Sequence, residues 1–183
     1  RRLNRSIYES SGIINTKLWT TLYLAMPSLE NCRDIDLIYN SGADGLSFNR
    51  LSYHIIGYKA PMIFLIKHHK QQEFEEDKAE ELADDCVLGA FINTEIKDNG
   101  QFGGDLNSCI FCIDPEVRVM RTINNKGGTN YVYLNTVKIE NSSYAYGLGF
   151  GGSTAEFRFW IDGENIQEKS YVGPEDTTYE IGK

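Results

Sequence analysis

The chain has 183 residues, 41% of them hydrophobic and 12% aromatic, enough to bury one core without disulfides or metals. Its net charge of −8 argues against nucleic acid as the partner, because phosphate binding needs a basic face. No apolar run approaches the ~20 residues that cross a bilayer, and Arg1-Arg-Leu-Asn-Arg-Ser6 lacks the apolar stretch of a signal peptide. One domain over residues 1–183, a monomer with no direct membrane insertion, is the expectation.

In chain order, residues 16–25 place Leu18 and Leu22 on one helical face. Residues 35–40 read as a strand. Residues 47–56 read as a second helix, with Ser47 as its cap, Leu51 and Ile55 four apart, and Gly57 to stop it. Further strands are predicted at 61–67, 87–93, 109–113, 117–123, 131–136, 147–152 and 156–162, with turn clusters such as Asp98-Asn-Gly100 between them. Many short strands and two early helices predict an α+β chain that is mainly β: a two-sheet antiparallel β-sandwich with the helices packed outside. The inward set is expected to include Leu37, Tyr39, Ile63, Leu65, Phe111, Val119, Phe157 and Phe159.

Segment 68–85 holds eight acids and two lysines, so it carries −6 of the net charge. It reads as a solvated insertion in a surface loop, with docking of a basic partner as the sharper alternative. Four cysteines could form two disulfides. Cys86, Cys109 and Cys112 instead sit beside aliphatic residues in strand-like runs, where thiols pack as small hydrophobes. A reduced, cytoplasmic protein is expected, and the Asn-x-Ser sequons at Asn4 and Asn141 are short enough to arise by chance.

Gly147-x-Gly149-x-x-Gly152 matches the dinucleotide-binding fingerprint letter for letter. That fingerprint works through a helix N-terminus directly after it, whereas Glu156 to Ile161 reads as strand. Close packing of a glycine-rich strand is the favoured reading. Cys109-x-x-Cys112 would point its thiols to opposite faces of a strand, and Cys32 and Cys86 supply no second pair. Cys109 shares a face with Phe111 and Ile113 and is expected in the core. His54, His68 and His69 form no metal or triad spacing. No cofactor and no metal are expected.

Five segments in order carry a resemblance, the first two of them in one continuous run. They are Leu37-Ile-Tyr-Asn-Ser-Gly-Ala-Asp-Gly-Leu-Ser-Phe-Asn-Arg-Leu51, Gly57-Tyr-Lys-Ala-Pro61, Leu88-Gly-Ala-Phe91, and the run from Gly147 to Asp162 that ends in Phe159-Trp-Ile-Asp162. Together, over about residues 15–170, they are similar to a TLDc domain, the module of eukaryotic oxidation-resistance proteins. The resemblance implies a protein-interaction domain tied to protection from oxidative stress, with subunits of the vacuolar proton pump (V-ATPase) as partner. It also implies polar positions at Asp105, a shorter acid than the usual glutamate, and at Asp162. The family's serine-and-cysteine segment survives only as Ser170, and its closing glutamate-valine-tryptophan strand is expected to be absent. On the interaction reading, the loops Ser41-Gly-Ala-Asp44-Gly45 and Gly100-Gln-Phe102-Gly103-Gly104-Asp105 would bind the partner, with Phe102 as an exposed aromatic anchor. The alternative is an enzyme of unknown reaction using Asp105, Asp162 and Glu175 as acid–base carboxylates.

Overall fold

The computed structural model describes residues 11–26, 29, 35–59, 61–68, 86–114, 116–123, 128–140, 144–173 and 176–181. The acidic segment 69–85, Cys32 and Glu175 lie outside these residues.

Asn15 opens helix α1 (Thr16–Ala25) by accepting a hydrogen bond from the Leu18 amide at 2.8 Å. Asn40 likewise caps the single turn α2 (Ser41–Asp44), and the Ser47 hydroxyl caps α3 (Phe48–Ile55) through the Arg50 amide. Each such cap satisfies an orphan amide and is worth about 1 kcal/mol. Helix α3 ends where Gly57 adopts φ 78°, as its position in the sequence suggests.

Among the described residues, nine strands follow these three helices. They are β1 (Met62–His68), β2 (Cys86–Ile92), β3 (Phe102–Gly103), β4 (Cys109–Asp114), β5 (Arg118–Arg121), β6 (Val132–Asn135), β7 (Gly147–Phe150), β8 (Phe159–Asp162) and β9 (Tyr171–Val172), with the short α4 (Ile166–Lys169) before the last. They form two antiparallel sheets, ordered β1-β2-β4-β5 and β3-β6-β7-β8-β9. The two-sheet architecture expected from the sequence is therefore present.

Residues 35–40 are not a strand. They carry no ladder among the described residues, and Asn40 is committed to capping α2. Ile38 and Tyr39 still pack on the core, whereas Leu37, expected inside, is 41% exposed.

Apolar side chains form three layers rather than one. Between the sheets, Met62, Phe64, Ala90, Ile92 and Ile110 meet Leu134, Leu148, Phe150, Phe159 and Ile161. On the outer face of the first sheet, Phe91, Cys109, Phe111 and Ile113 lie under Leu18 and Leu22 of α1 and under Met26, which caps its end. On the outer face of the second sheet sit Tyr133, Phe157 and Trp160. The expected inward set is thus divided: Ile63, Leu65, Phe111 and Val119 belong to the layer beneath α1, and Phe157 to the outer layer. Only Phe159 of the strand residues in that set lies between the sheets. A strand buried on both faces alternates without revealing which face is which.

Phe150 is fully buried between the sheets, with its ring 5.4 Å from both Phe64 and Phe159. Phe150→Ala is expected to lower unfolding free energy by roughly 3–5 kcal/mol, measured by urea denaturation. A loss below about 1 kcal/mol would mean that the two sheets do not close on this ring.

Candidate functional site

The glycines of β7 build the most distinctive surface. Gly147 and Gly149 share the outer face of the strand, while Leu148 and Phe150 point into the sandwich. A Cβ on Gly149 would lie 2.2 Å from the Phe157 ring, and one on Gly147 would lie 2.5 Å from the Trp160 ring. The strand therefore offers a trough free of side chains against which both aromatics pack. The dinucleotide-like spacing is a packing pattern, and it leads into a strand rather than a helix.

Phe157 and Trp160 stack at 4.4 Å with planes 15° apart. Strict alternation would send residues i and i+3 to opposite faces, so their stacking needs a break. It comes at Arg158, where the chain bends just before β8 begins at Phe159. The Phe157 amide donates to the Tyr171 hydroxyl at 3.1 Å, and the Gly173 amide to the Arg158 carbonyl at 2.8 Å, which fixes the bend against β9.

The stack continues into the end of β8. Trp160 Nε1 donates to Asp162 Oδ2 at 3.2 Å, while Asp162 Oδ1 accepts from the amides of Glu164 and Asn165, both at 2.9 Å. Asp162 thus ties the indole to the turn before α4. Glu164 holds Lys138 at 2.5 Å and Lys169 at 2.6 Å, and these two cations press its carboxyl down to about 2. Over the stack lies a groove of about 320 Å³, lined by Ala145, Tyr146, Thr154, Ala155, Phe157, Trp160, Asp162, Glu164 and Tyr171. A second hollow of about 230 Å³ lies across Glu164, between Leu46–Asn49 and Gly163–Gln167. Three exposed apolar residues adjoin this lining along the chain as a rim: Tyr144, next to Ala145, and Val137 and Ile139, on either side of the Lys138 that pairs with Glu164, are 51%, 56% and 60% exposed. The Lys138–Glu164 pair ties the 137–139 segment to the lining.

The residues singled out in the sequence fall at several places. Asp44 Oδ2 accepts from the Asn40 amide at 2.7 Å, and the Gly45 carbonyl accepts from the Tyr39 hydroxyl at 2.9 Å. Both shape the turn that leads to Leu46 beside the second hollow. Phe102 is not an exposed anchor. It sits half-buried on edge strand β3, its ring 5.4 Å from Tyr133 and 5.7 Å from Phe157, so it supports the aromatic layer from below. Gly103 is exposed beside it, and Gly104, at φ 98°, passes close over Tyr131. Asp105 accepts from Asn93 at 3.1 Å and from the Asn107 amide at 2.9 Å, closing the β3–β4 turn.

Asp105 and Asp162 are not brought together. Gly103 is level with Val132 and Asp162 with Asn135, across three strand spacings. At ~4.8 Å per strand and ~3.3 Å per residue, that offset is on the order of 15 Å, and Asp105 lies two residues further away. Carboxylates that share one bond sit within about 10 Å of each other.

Cys109 is buried beneath α1 as expected, and burial raises its thiol to about 11. Cys112 points to the opposite face and is half-buried. The exposed rim is the feature that sequence reasoning missed. Its signal is the alternation of Val137 and Ile139 beyond the predicted end of the 131–136 strand.

The family model for the TLDc domain matches residues 7–183. The chain belongs to the TLDc domain family. It is 30% identical over 143 residues to the MTOR-associated protein MEAK7 of Xenopus laevis, covering 78% of this chain and 27% of that protein. It is 26% identical over 135 residues to human Oxidation resistance protein 1, covering 74% of this chain and 13% of that protein. Against Oxidation resistance protein 1 of Xenopus laevis it is 22% identical over 167 residues, 91% of this chain and 17% of the relative. This TLDc chain therefore spans about a quarter or less of the length of these relatives.

Two measurements test the geometry of this TLDc domain. Gly149→Ala is expected to destabilise by roughly 1–3 kcal/mol, because the new methyl meets the Phe157 ring. A neutral result in thermal melts would mean that Phe157 does not lie in the trough. Cys109, with its thiol raised to about 11, is expected to alkylate about a hundredfold more slowly at pH 8 than an exposed thiol. Mass mapping that finds Cys109 labelled as fast as Cys112 would contradict its burial beneath α1.

Proposed function

We propose that this TLDc domain is a non-catalytic docking module that acts on the cytoplasmic side, with subunits of the V-ATPase as partner and protection from oxidative stress as the outcome. The observation that carries this reading is the exposure of Val137, Ile139 and Tyr144, chain neighbours of Ala145 and of the Lys138 that pairs with Glu164; Ala145 and Glu164 both line an aromatic-floored groove. Exposed apolar residues grouped at a concave site with a packed aromatic floor are the anatomy of a protein interface. The choice of partner rests on the TLDc resemblance. Docking is also supported by the name of the frog relative, which describes that protein as associated with MTOR. The carboxylate reading draws no support from Asp105 and Asp162, which serve separate turns.

An aromatic or aliphatic anchor at the centre of an interface contributes about 2 kcal/mol or more, close to thirtyfold in affinity. Ile139→Asp is therefore expected to weaken binding to purified V-ATPase subunits about thirtyfold in calorimetry, with an unchanged melting temperature. Phe102→Ala is expected to lower the melting temperature, because its ring supports Tyr133 and Phe157. Unaltered affinity in Ile139→Asp would remove the rim from the interface. No binding by the wild-type domain at micromolar concentration would reject the pump as partner.

A further inference from the structure

Arg158 is 7% exposed and lies where the chain bends between Phe157 and Phe159. Its side chain leaves on the side of the inter-sheet layer, toward edge strand β5. There Nη2 donates to the Met120 thioether at 3.4 Å, and Nη1 has no partner among the described residues. A thioether is a weak acceptor, and a guanidinium cannot shed its charge by deprotonation. A buried charge with so little compensation costs several kcal/mol in general. Something must meet it.

A carboxylate close by is already engaged. At the point where Gly151 would carry a Cβ, Asp176 Oδ2 is 2.6 Å away and the Arg158 Cβ 2.9 Å away. Asp176 nevertheless gives Oδ2 to the Gly152 amide at 2.7 Å and Oδ1 to the Tyr179 amide at 3.2 Å. Both oxygens hold the backbone of the Gly151–Gly152 turn and of the segment that bridges to Thr122. Arg118, two residues before Met120 on β5, is itself held by Glu116, so that guanidinium is engaged, whereas Nη1 of Arg158 is not.

We propose that Arg158 is the floor of an anion site that takes a carboxylate at the β5 rim. The planar fork of a guanidinium matches the two oxygens of a carboxylate, and Nη1 is the donor left over to receive one. The carboxylate comes either as a small free acid or as an acidic side chain presented by a partner. The site is separate from the groove on the outer face and does not rest on the docking reading.

The test is thermal unfolding of the intact chain in sodium chloride, sulfate and acetate at matched ionic strength. Acetate is expected to raise the melting temperature saturably by about 2–4 °C over chloride, as a ligand of the folded state does. Arg158→Met is expected to abolish that rise, and Arg158→Lys to keep part of it. Equal curves in the three salts, sulfate matching acetate, or an acetate rise that survives in Arg158→Met would overturn the site. An ordered water on Nη1 gives the first of these results. Where Arg158→Met does not fold, the Nε–H resonance of Arg158 in the wild-type chain decides: it moves with acetate if the site exists and stays fixed if it does not. A capped glutamate peptide then separates the two sources. Saturation at lower concentration than acetate assigns a partner's side chain, and saturation at the same concentration assigns the free acid.

Discussion

The second sheet depends on one strand having nothing on its outer face. Because Gly147 and Gly149 lack side chains, the Phe157 and Trp160 rings rest directly on the backbone of β7. That contact requires Phe157 and Trp160 to point the same way, which in turn requires the bend at Arg158. The bend places Trp160 Nε1 against Asp162, and Asp162 organises the turn that carries Glu164. The groove's aromatic floor, and its tie to the turn before α4, both follow from two missing Cβ atoms. A methyl at Gly149 acts on every step of that chain, because interiors packed to crystal-like density have no slack to absorb it.

Local signals in the sequence are strong where the structure is local. Helices α1 and α3 lie where the spacing of Leu18 and Leu22 and the signals at Ser47 and Gly57 place them, since these act through groups three or four residues away. The glycine run is legible as strand packing because it leads into Phe159-Trp-Ile-Asp162, an apolar run with no helix start. The core position of Cys109 is legible from Phe111 and Ile113 on the same face.

Non-local arrangements are not legible. Ile63, Leu65 and Phe111 alternate as a sandwich interior would, yet α1 covers their face and the opposite face meets the second sheet. Periodicity reports burial, and only the partner layer says which side is central. Phe102 resembles a loop tip because Gly100, Gly103 and Gly104 surround it. Its place on β3 depends on pairing with Tyr133, some thirty residues later. The distance between Asp105 and Asp162 depends on register across four strands, and no run of residues encodes that sum.

The two faces of the second sheet also divide labour. Its inner face joins the inter-sheet core, where truncating Phe150 acts on the whole domain. Its outer face carries an aromatic floor that is structural and a rim that is not. Phe157 and Trp160 are 2% and 5% exposed, so they give the groove shape while contributing little open surface. Val137 and Ile139 contribute surface while adding little to the core, and their loop is held by Asn135 on the Val137 backbone, Asp98 on the Thr136 amide and Lys138 on Glu164 rather than by burial. Residues that recognise a partner from such a rim change without a large loss of stability, whereas the floor beneath them does not. Arg158 breaks this division. It lies at the same bend as the floor, its charge is buried, and its guanidinium's one hydrogen-bond partner among the described residues is a sulfur. Hydrophobic packing gives no account of such a residue, and a counter-anion does.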